Sequence, residues 1–428
     1  MTFRFCSSIV AIGAAILPAI AMAQSTIDTV VPIIYDRGRN VSVTERARPE
    51  TNPVGLPAGG FTIFPALDIQ PGYSDNVYQT QDNRLGDFFV SAAPRVLARS
   101  NWSRNSLQVE GSGNLVRYAT EKPRDQNGWQ VAARGRYDAG SSLTFNLGVD
   151  TARLFESQFS GAAITDVRSP TPYQRSQARF LTDARFARFR VVASGTYADY
   201  DFRSVDTLAG ASLSQDNRDR RIASGAVQLE YGVTPDTGIF GQVTYTDTEY
   251  DEVLAPGVDN RDSKEYRLLG GVTLDIAALV RGTFGMGYID RQFNSALYRD
   301  VKGFSFDGRI EYFLSELTTI TLTGSREIQD ASASGSGFFT TMGAVRADHE
   351  LLRNLLLNAS ASLSEDKFFG FDGKARVTRL SGGATYLTNR LISAKLDLSY
   401  ARRKSDFATG NGPTLSEFRM LAGISVHP

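Results

Sequence analysis

From Gly60 onward the chain alternates apolar and polar residues in steps of two. Trp129, Val131, Ala133, Gly135 and Tyr137 share one parity, and Gln130, Ala132, Arg134, Arg136 and Asp138 share the other. The pattern returns at Leu143, Phe145, Leu147 and Val149, at alternate residues from Tyr266 to Leu274, and again from Ile392 to Tyr400. Successive side chains of a strand point to opposite faces, so each run builds one apolar and one polar surface. A helix would carry apolar residues three and four apart, and no long segment has that spacing. Many of the runs last about ten residues or more, whereas soluble strands average about five or six.

The connections alternate in length. Short ones fall near residues 100–104, 138–141, 187–190, 234–237, 277–279, 315–317, 352–354 and 388–390. Between them lie stretches rich in Asp, Asn, Ser, Gly and Pro, such as 157–172, 203–217 and 251–263. The spacing predicts about 18 strands, an even number with tight turns at one end and long loops at the other. That is the plan of an all-β, antiparallel, up-and-down outer-membrane β-barrel over residues 60–428. A soluble sandwich would use shorter strands and less regular loops, and in lipid only closure removes unpaired strand edges.

Aromatic positions follow the same scheme. Tyr137, Phe186, Tyr231, Tyr312 and Tyr386 stand on the apolar parity just before short turns, and Tyr245, Tyr288 and Tyr400 stand on it at the opposite strand ends. Rings with a polar tip favour the membrane–water boundary, so two girdles are expected. The opposite parity then lines the lumen with Arg134, Arg136, Arg179, Asp183, Glu230, Arg267, Asp275, Asp307, Arg309, Glu311 and Arg346. Arginine dominates over lysine there. Guanidinium forks suit an anionic or highly hydroxylated solute, and neighbouring Arg and Asp can equally neutralise one another. Few aromatics fall on the lumen parity, chiefly Phe240 and Phe313, so no aromatic slide for sugars is expected.

Residues 1–23 read as a secretory signal peptide, with Arg4, an apolar stretch from Ile9 to Ile20, and Ala21-Met22-Ala23 before the cleavage point. Export agrees with a barrel. Composition narrows the chemistry further: 46 basic and 46 acidic side chains leave no excess charge for nucleic acid. A single Cys and two His exclude a disulfide scaffold and thiolate metal sites, and leave little for His-based catalysis. Neither His349 nor His427 has a surrounding pattern of a general base, so no enzyme, cofactor or metal is expected. In the loops, Asp247, Glu249, Asp251 and Glu252 read as solvated charge in preference to a cation or lipopolysaccharide bridge, and Arg218, Arg220 and Arg221 with Asp216 and Asp219 as a paired loop base.

Residues 24–59 do not alternate and read as an extended periplasmic lead-in, or as a plug tucked into the lumen. They carry Arg48-Pro49-Glu50 and then Asn52-Pro53-Val54-Gly55. A first strand follows, and then Tyr73-Ser74-Asp75-Asn76-Val77-Tyr78. This order resembles the β-barrel porin type 2 family of outer-membrane proteins, whose members are often encoded with exopolysaccharide synthesis and export machinery. The resemblance implies a part in exopolysaccharide secretion, as conduit or accessory. General diffusion of small solutes, or adhesion through the outer loops, are the alternatives. Implied partners are outer-membrane lipid and lipopolysaccharide, the barrel assembly machinery, periplasmic polysaccharide export proteins and the exopolysaccharide itself. Family barrels end on an aromatic residue; here Phe418, Met420, Ala422, Ile424 and Val426 alternate but His427-Pro428 follow.

Overall fold

The computed structural model describes residues 41–427 apart from 162, 165, 277–278, 331–336, 371 and 408–409. The signal-peptide reading therefore lies outside the described residues. Eighteen long strands run in chain order: β1 Phe61–Ser74, β2 Asp87–Ser100, β3 Ser106–Tyr118, β4 Gln126–Asp138, β5 Leu143–Phe155 and β6 Pro172–Phe186. They continue with β7 Phe189–Phe202, β8 Arg220–Thr234, β9 Thr237–Tyr250, β10 Ser263–Ile276, β11 Val280–Phe293 and β12 Val301–Ser315. The last are β13 Thr318–Gln329, β14 Gly337–Leu352, β15 Leu355–Phe369, β16 Gly373–Leu387, β17 Ile392–Phe407 and β18 Gly410–Val426.

Each strand pairs antiparallel with its chain neighbours, and β18 pairs back to β1 through Leu67 opposite Val426 and Ile69 opposite Ile424. The sheet is closed. Closure leaves no unpaired edge, which is what lets strands cross lipid. The period-2 pattern sorts the side chains as expected: Val131, Leu147, Val227, Leu268 and Leu363 are exposed on the outer wall, while Gln228, Arg267 and Glu311 are buried on the inner one. An apolar surface this large, facing outward from a closed barrel, has a partner only in a bilayer.

Tight connections close one end, including 187–188, 235–236, 316–317 and 353–354. At the other end 75–86, 156–171, 203–219 and 251–262 are long. The asymmetry fades toward the C-terminus, where the strands have 15 to 17 residues. There the hairpins themselves rise above the apolar belt, so less loop is needed.

Two glycines show why the wall has its local shape. Gly55 has φ +74°, and a Cβ there would lie 2.6 Å from the Phe64 and Thr62 side chains. It lets residues 56–58 fold back as a short hairpin on Phe61–Ile63 at the start of β1. On the inner wall the Phe240 ring lies flat across Gly271 and Gly285, 2.5 and 3.0 Å from where their Cβ atoms would be. Gly271 also faces the Phe284 carbonyl. Gly271→Ala is expected to destabilise the barrel by about 1–3 kcal/mol through overpacking. Urea unfolding in detergent checks this; an unchanged midpoint would remove the close approach from the account.

Candidate functional site: the lumen and its two mouths

The inner wall carries rows of ion pairs in its periplasmic half. Arg134 reaches Glu110 at 3.7 Å, and Arg136 pairs with Asp138 at 2.9 Å. Asp183 is shared by Arg190 at 2.8 Å and Arg185 at 3.3 Å, and Arg190 also approaches Glu230 at 3.5 Å. Glu311 receives Arg281 at 2.6 Å and Arg309 at 2.8 Å; Arg346 pairs with Asp348 at 2.7 Å, and Lys395 with Asp68 at 3.1 Å. Several of these join residues i and i+2 of one strand, neighbours on the same face. Higher up, Arg267 donates to Ser305 and lies 3.7 Å from Asp307, while Arg179 donates to Gln177 at 2.8 Å. Asp275 is buried on the same wall.

All eleven lumen residues read from the sequence thus stand on the inner wall, and pairing between neighbours is the rule there. Pairing does not bury every cation. Half or more of the side-chain surface of Arg134, Arg136, Arg185 and Arg309 remains open to the lumen. The result is a wall of alternating hydrogen-bond donors and acceptors with little net charge, which suits hydroxyl groups better than a simple anion. The eight girdle residues stand on the outer wall; Tyr137 and Phe186 are the most exposed, at 57% and 60%.

The outer mouth is crossed by the protein's own chain. The β5–β6 loop leaves the wall at Glu156 and carries Phe159 against Val377 and Leu415, on the inner faces of β16 and β18. Arg403 of β17 donates to the carbonyls of Gln158 and Ser160 at 3.0 and 2.8 Å. At its root, Glu156 is gripped by both guanidinium nitrogens of Arg218, at 2.6 and 3.0 Å. Beside it Asp330 joins Arg220 at 3.2 Å and Arg291 at 2.6 Å, and Arg291 also holds Glu265 at 2.7 Å. Burial opposes the Asp330 charge, but Arg291, Arg220 and Arg261 hold its carboxyl below the usual range.

Two sequence readings change here. Arg218, Arg220 and Arg221 do not pair with Asp216 and Asp219; their acids are Glu156, Asp330 and Asp251. Nor are inward aromatics few. Tyr173, Tyr200, Phe202 and Tyr250 are buried on the lumen parity at the outer strand ends, with Tyr173 stacked on Phe202 at 5.0 Å. Arg218 lies 4.2 Å from the Phe202 ring centre and Arg261 4.3 Å from that of Tyr250. These rings stand at the last inward positions of their strands, beside the long loops, and belong to the wall. They pack under the loops and do not form an exposed slide.

Asp219, at the root of the 203–219 loop, has its carboxyl pushed up to about 6 by burial and by nearby Asp201, Asp216 and Asp251, against the pull of the Phe202 N–H. The folded loop therefore favours the neutral acid. Its contribution is fully present below the ordinary value of 3.8 and is lost as pH rises toward about 6. Proteolysis within 203–219 should accordingly be slower at pH 5 than at pH 7, with Asp219→Asn abolishing the difference. A variant that kept the same pH dependence would assign it elsewhere.

The periplasmic mouth is also occupied. Val43 is buried, and its N–H donates to Thr319 Oγ1 at 3.1 Å. Glu350 receives Arg46 at 3.1 Å and Arg48 at 2.9 Å, Glu45 meets Arg281 at 3.1 Å, and Arg46 also bonds the Glu316 carbonyl. Arg390 donates to the Pro49 carbonyl at 3.1 Å. Arg48-Pro49 is thus an anchor on the inner rim. Glu50 follows within the 48–52 turn, whose amides at 51 and 52 bond the Arg48 carbonyl.

The second motif acts at the outer seam between β18 and β1. Asp75 accepts the Phe418 N–H at 2.7 Å, and buried Asn76 donates to the carbonyls of Ser416 and Thr80 at 2.8 Å. Tyr78 donates to Glu121 at 2.7 Å; burial and that carboxylate push its hydroxyl up to about 12. Tyr73 packs on Phe88 at 5.1 Å.

A family model described as "Putative beta-barrel porin 2" matches residues 48–417. The chain belongs to that family. It is an outer-membrane β-barrel of the porin and channel kind, and the family is not one of enzymes. Among solved structures, this porin-family chain is similar to the outer membrane protein OpdK of Pseudomonas aeruginosa, at 11% identity over 86% of this chain and 99% of that chain, with a TM-score of 0.45. It is also similar to OpdL of Pseudomonas aeruginosa, at 13% identity, 85% and 99% coverage and a TM-score of 0.42. A third is the ferric-catecholate import receptor Fiu of E. coli K12, at 10% identity, 84% and 81% coverage and a TM-score of 0.43. No curated protein sequence matches significantly.

Proposed function

We propose that this barrel takes part in exopolysaccharide secretion, as a gated conduit or an accessory to one, passing a hydroxyl-rich polymer. The observation that carries the reading is the occupation of both mouths by the chain itself: Phe159 and its loop outside, residues 41–55 inside. A general diffusion porin works as a standing opening. A lumen spanned at each end by segments held through polar contacts is suited to opening on engagement. Between the mouths, the paired guanidinium and carboxylate wall offers donors and acceptors to sugar hydroxyls and little net charge to trap ions.

Residues 41–55 act in this reading as the inner gate, and the β5–β6 loop as the outer one. Deletion of the gene is expected to remove surface polysaccharide, with recovery on re-expression of the full chain. Unchanged surface polysaccharide, together with a steadily open ohmic channel in planar bilayers, would overturn the proposal in favour of general diffusion.

A further inference from the structure

We infer that the outward face of β15, β16 and β17, at the extracellular rim, is a binding site for the phosphorylated headgroup of lipopolysaccharide. Five exposed cations converge there: Lys367 on β15, Lys374 and Arg376 on β16, and Arg402 and Lys404 on β17. Two acids, Glu365 and Asp406, share the patch, and Glu365 pairs with Arg376 at 2.7 Å. Neighbouring strands lie about 4.8 Å apart and rise about 3.4 Å per residue, so the cations cover a patch roughly 10 Å wide and 14 Å tall.

The arrangement differs from other parts of the rim. At several other rim positions outward charges face their opposites across the ladder: Arg221 stands opposite Asp199 and Glu249, Lys264 opposite Asp247, and Lys302 opposite Asp290. On the β15–β17 face five cations share only two acids, Asp406 opposite Lys374 and Glu365 opposite Arg376, and like also meets like. Lys367 stands directly opposite Lys374, and Arg376 directly opposite Lys404. Facing like charges destabilise a sheet unless something neutralises them. Among the described residues, Lys367, Lys374, Arg402 and Lys404 form no ion pair, and with only Glu365 and Asp406 beside the five cations the patch keeps a positive surplus for an anion from outside the chain.

Height decides which anion. Tyr400 stands two residues below Arg402, with Leu380 opposite it and Leu363, Leu398, Phe418 and Met420 exposed around and beneath. The cations therefore lie just above the apolar belt, where headgroups begin, and the wall below offers a surface to acyl chains. A lipid presents phosphate and hydrocarbon at these two levels together; free phosphate uses only the first. Clustered Lys and Arg beside a membrane surface recognise anionic headgroups in this way.

The test uses the full-length protein in detergent, with native mass spectrometry as the readout. The probes are diphosphorylated lipid A, its dephosphorylated counterpart and inorganic phosphate. The wild type is expected to retain the diphosphorylated lipid, less so at high salt, and to bind neither other probe measurably. The triple variant K374Q/R402Q/K404Q should bind it on the order of 100-fold more weakly, about fivefold per charge removed. Lys302→Gln, outside the patch on β12, should bind like the wild type. Heat-modifiable electrophoretic mobility confirms that each variant is folded, and R402K/K404R provides a charge-conserving variant that should retain the lipid. Equal retention by the triple variant, or equal binding of dephosphorylated lipid or of inorganic phosphate, would overturn the assignment.

Discussion

Replacing Arg291 with alanine is expected to destabilise the barrel more than any other single substitution considered, by about 3–5 kcal/mol. Arg291 is 1% exposed and serves two carboxylates at once, Glu265 at 2.7 Å and Asp330 at 2.6 Å. Removing it leaves both acids inside the outer mouth, with Arg220 at 3.2 Å and the more distant Arg261 to answer Asp330. The expense lies in the stranded charges, since the desolvation already incurred in burying them is no longer offset. The Phe339 and Ile328 side chains beside this network are buried with Ile289 and Val301, so the site has little room to admit water. Urea unfolding of the detergent-folded protein would measure the loss. A change below about 0.5 kcal/mol, the usual range for a surface substitution, would mean that the network does not hold the mouth together.

The second large effect concerns the β5–β6 loop, the outer gate of the proposed conduit. Arg403→Ala removes two hydrogen bonds from a charged donor to the carbonyls of Gln158 and Ser160. Each such bond contributes about 1.5–3 kcal/mol. Since about 1.4 kcal/mol is a factor of ten, losing even one should raise the population with the loop withdrawn at least tenfold. Phe159 against Val377 and Leu415, and Arg218 on Glu156 at the root, then remain to retain it. In planar bilayers the variant should open more often than the wild type at unchanged thermal stability. Identical open probability would place the loop outside the permeation path.

The barrel itself was legible in the alternation, because a strand of a closed membrane sheet has lipid on one side and polar lumen on the other for nearly its whole length. Val131 and Gln130, or Leu268 and Arg267, declare their faces by type alone. The tight turns were legible for the same reason, as places where the alternation stops briefly. Contacts across the lumen were not. Arg403 and Ser160, or Arg220 and Asp330, are distant in sequence and not ladder neighbours, and nothing local in a loop rich in Ser and Gly says whether it projects outward or folds in. The reading of Arg218 and Arg220 failed on this point: it sought their acids nearby in sequence, whereas burial in the mouth brought Glu156 and Asp330 to them. A signal was present in Tyr173, Tyr200, Phe202 and Tyr250, which stand on the inward parity at the strand ends that border the long loops. Aromatic residues on a lumen parity near strand ends mark loops that return to cover them.

The family motifs are explained by the same geometry. Arg48 ties the lead-in to Glu350 at one mouth, and Asp75 and Asn76 tie the first outer loop to β18 at the other. Both act on closure of the barrel and its openings, and neither presents a site for a particular solute.

The most direct test of a self-closed conduit is the single-channel current of the full chain beside that of a chain lacking residues 41–54 and carrying Arg403→Ala. The account predicts brief, infrequent openings for the first and a large, sustained conductance for the second. A full chain that conducts steadily at the larger level, or a doubly released chain that passes no current, would contradict it.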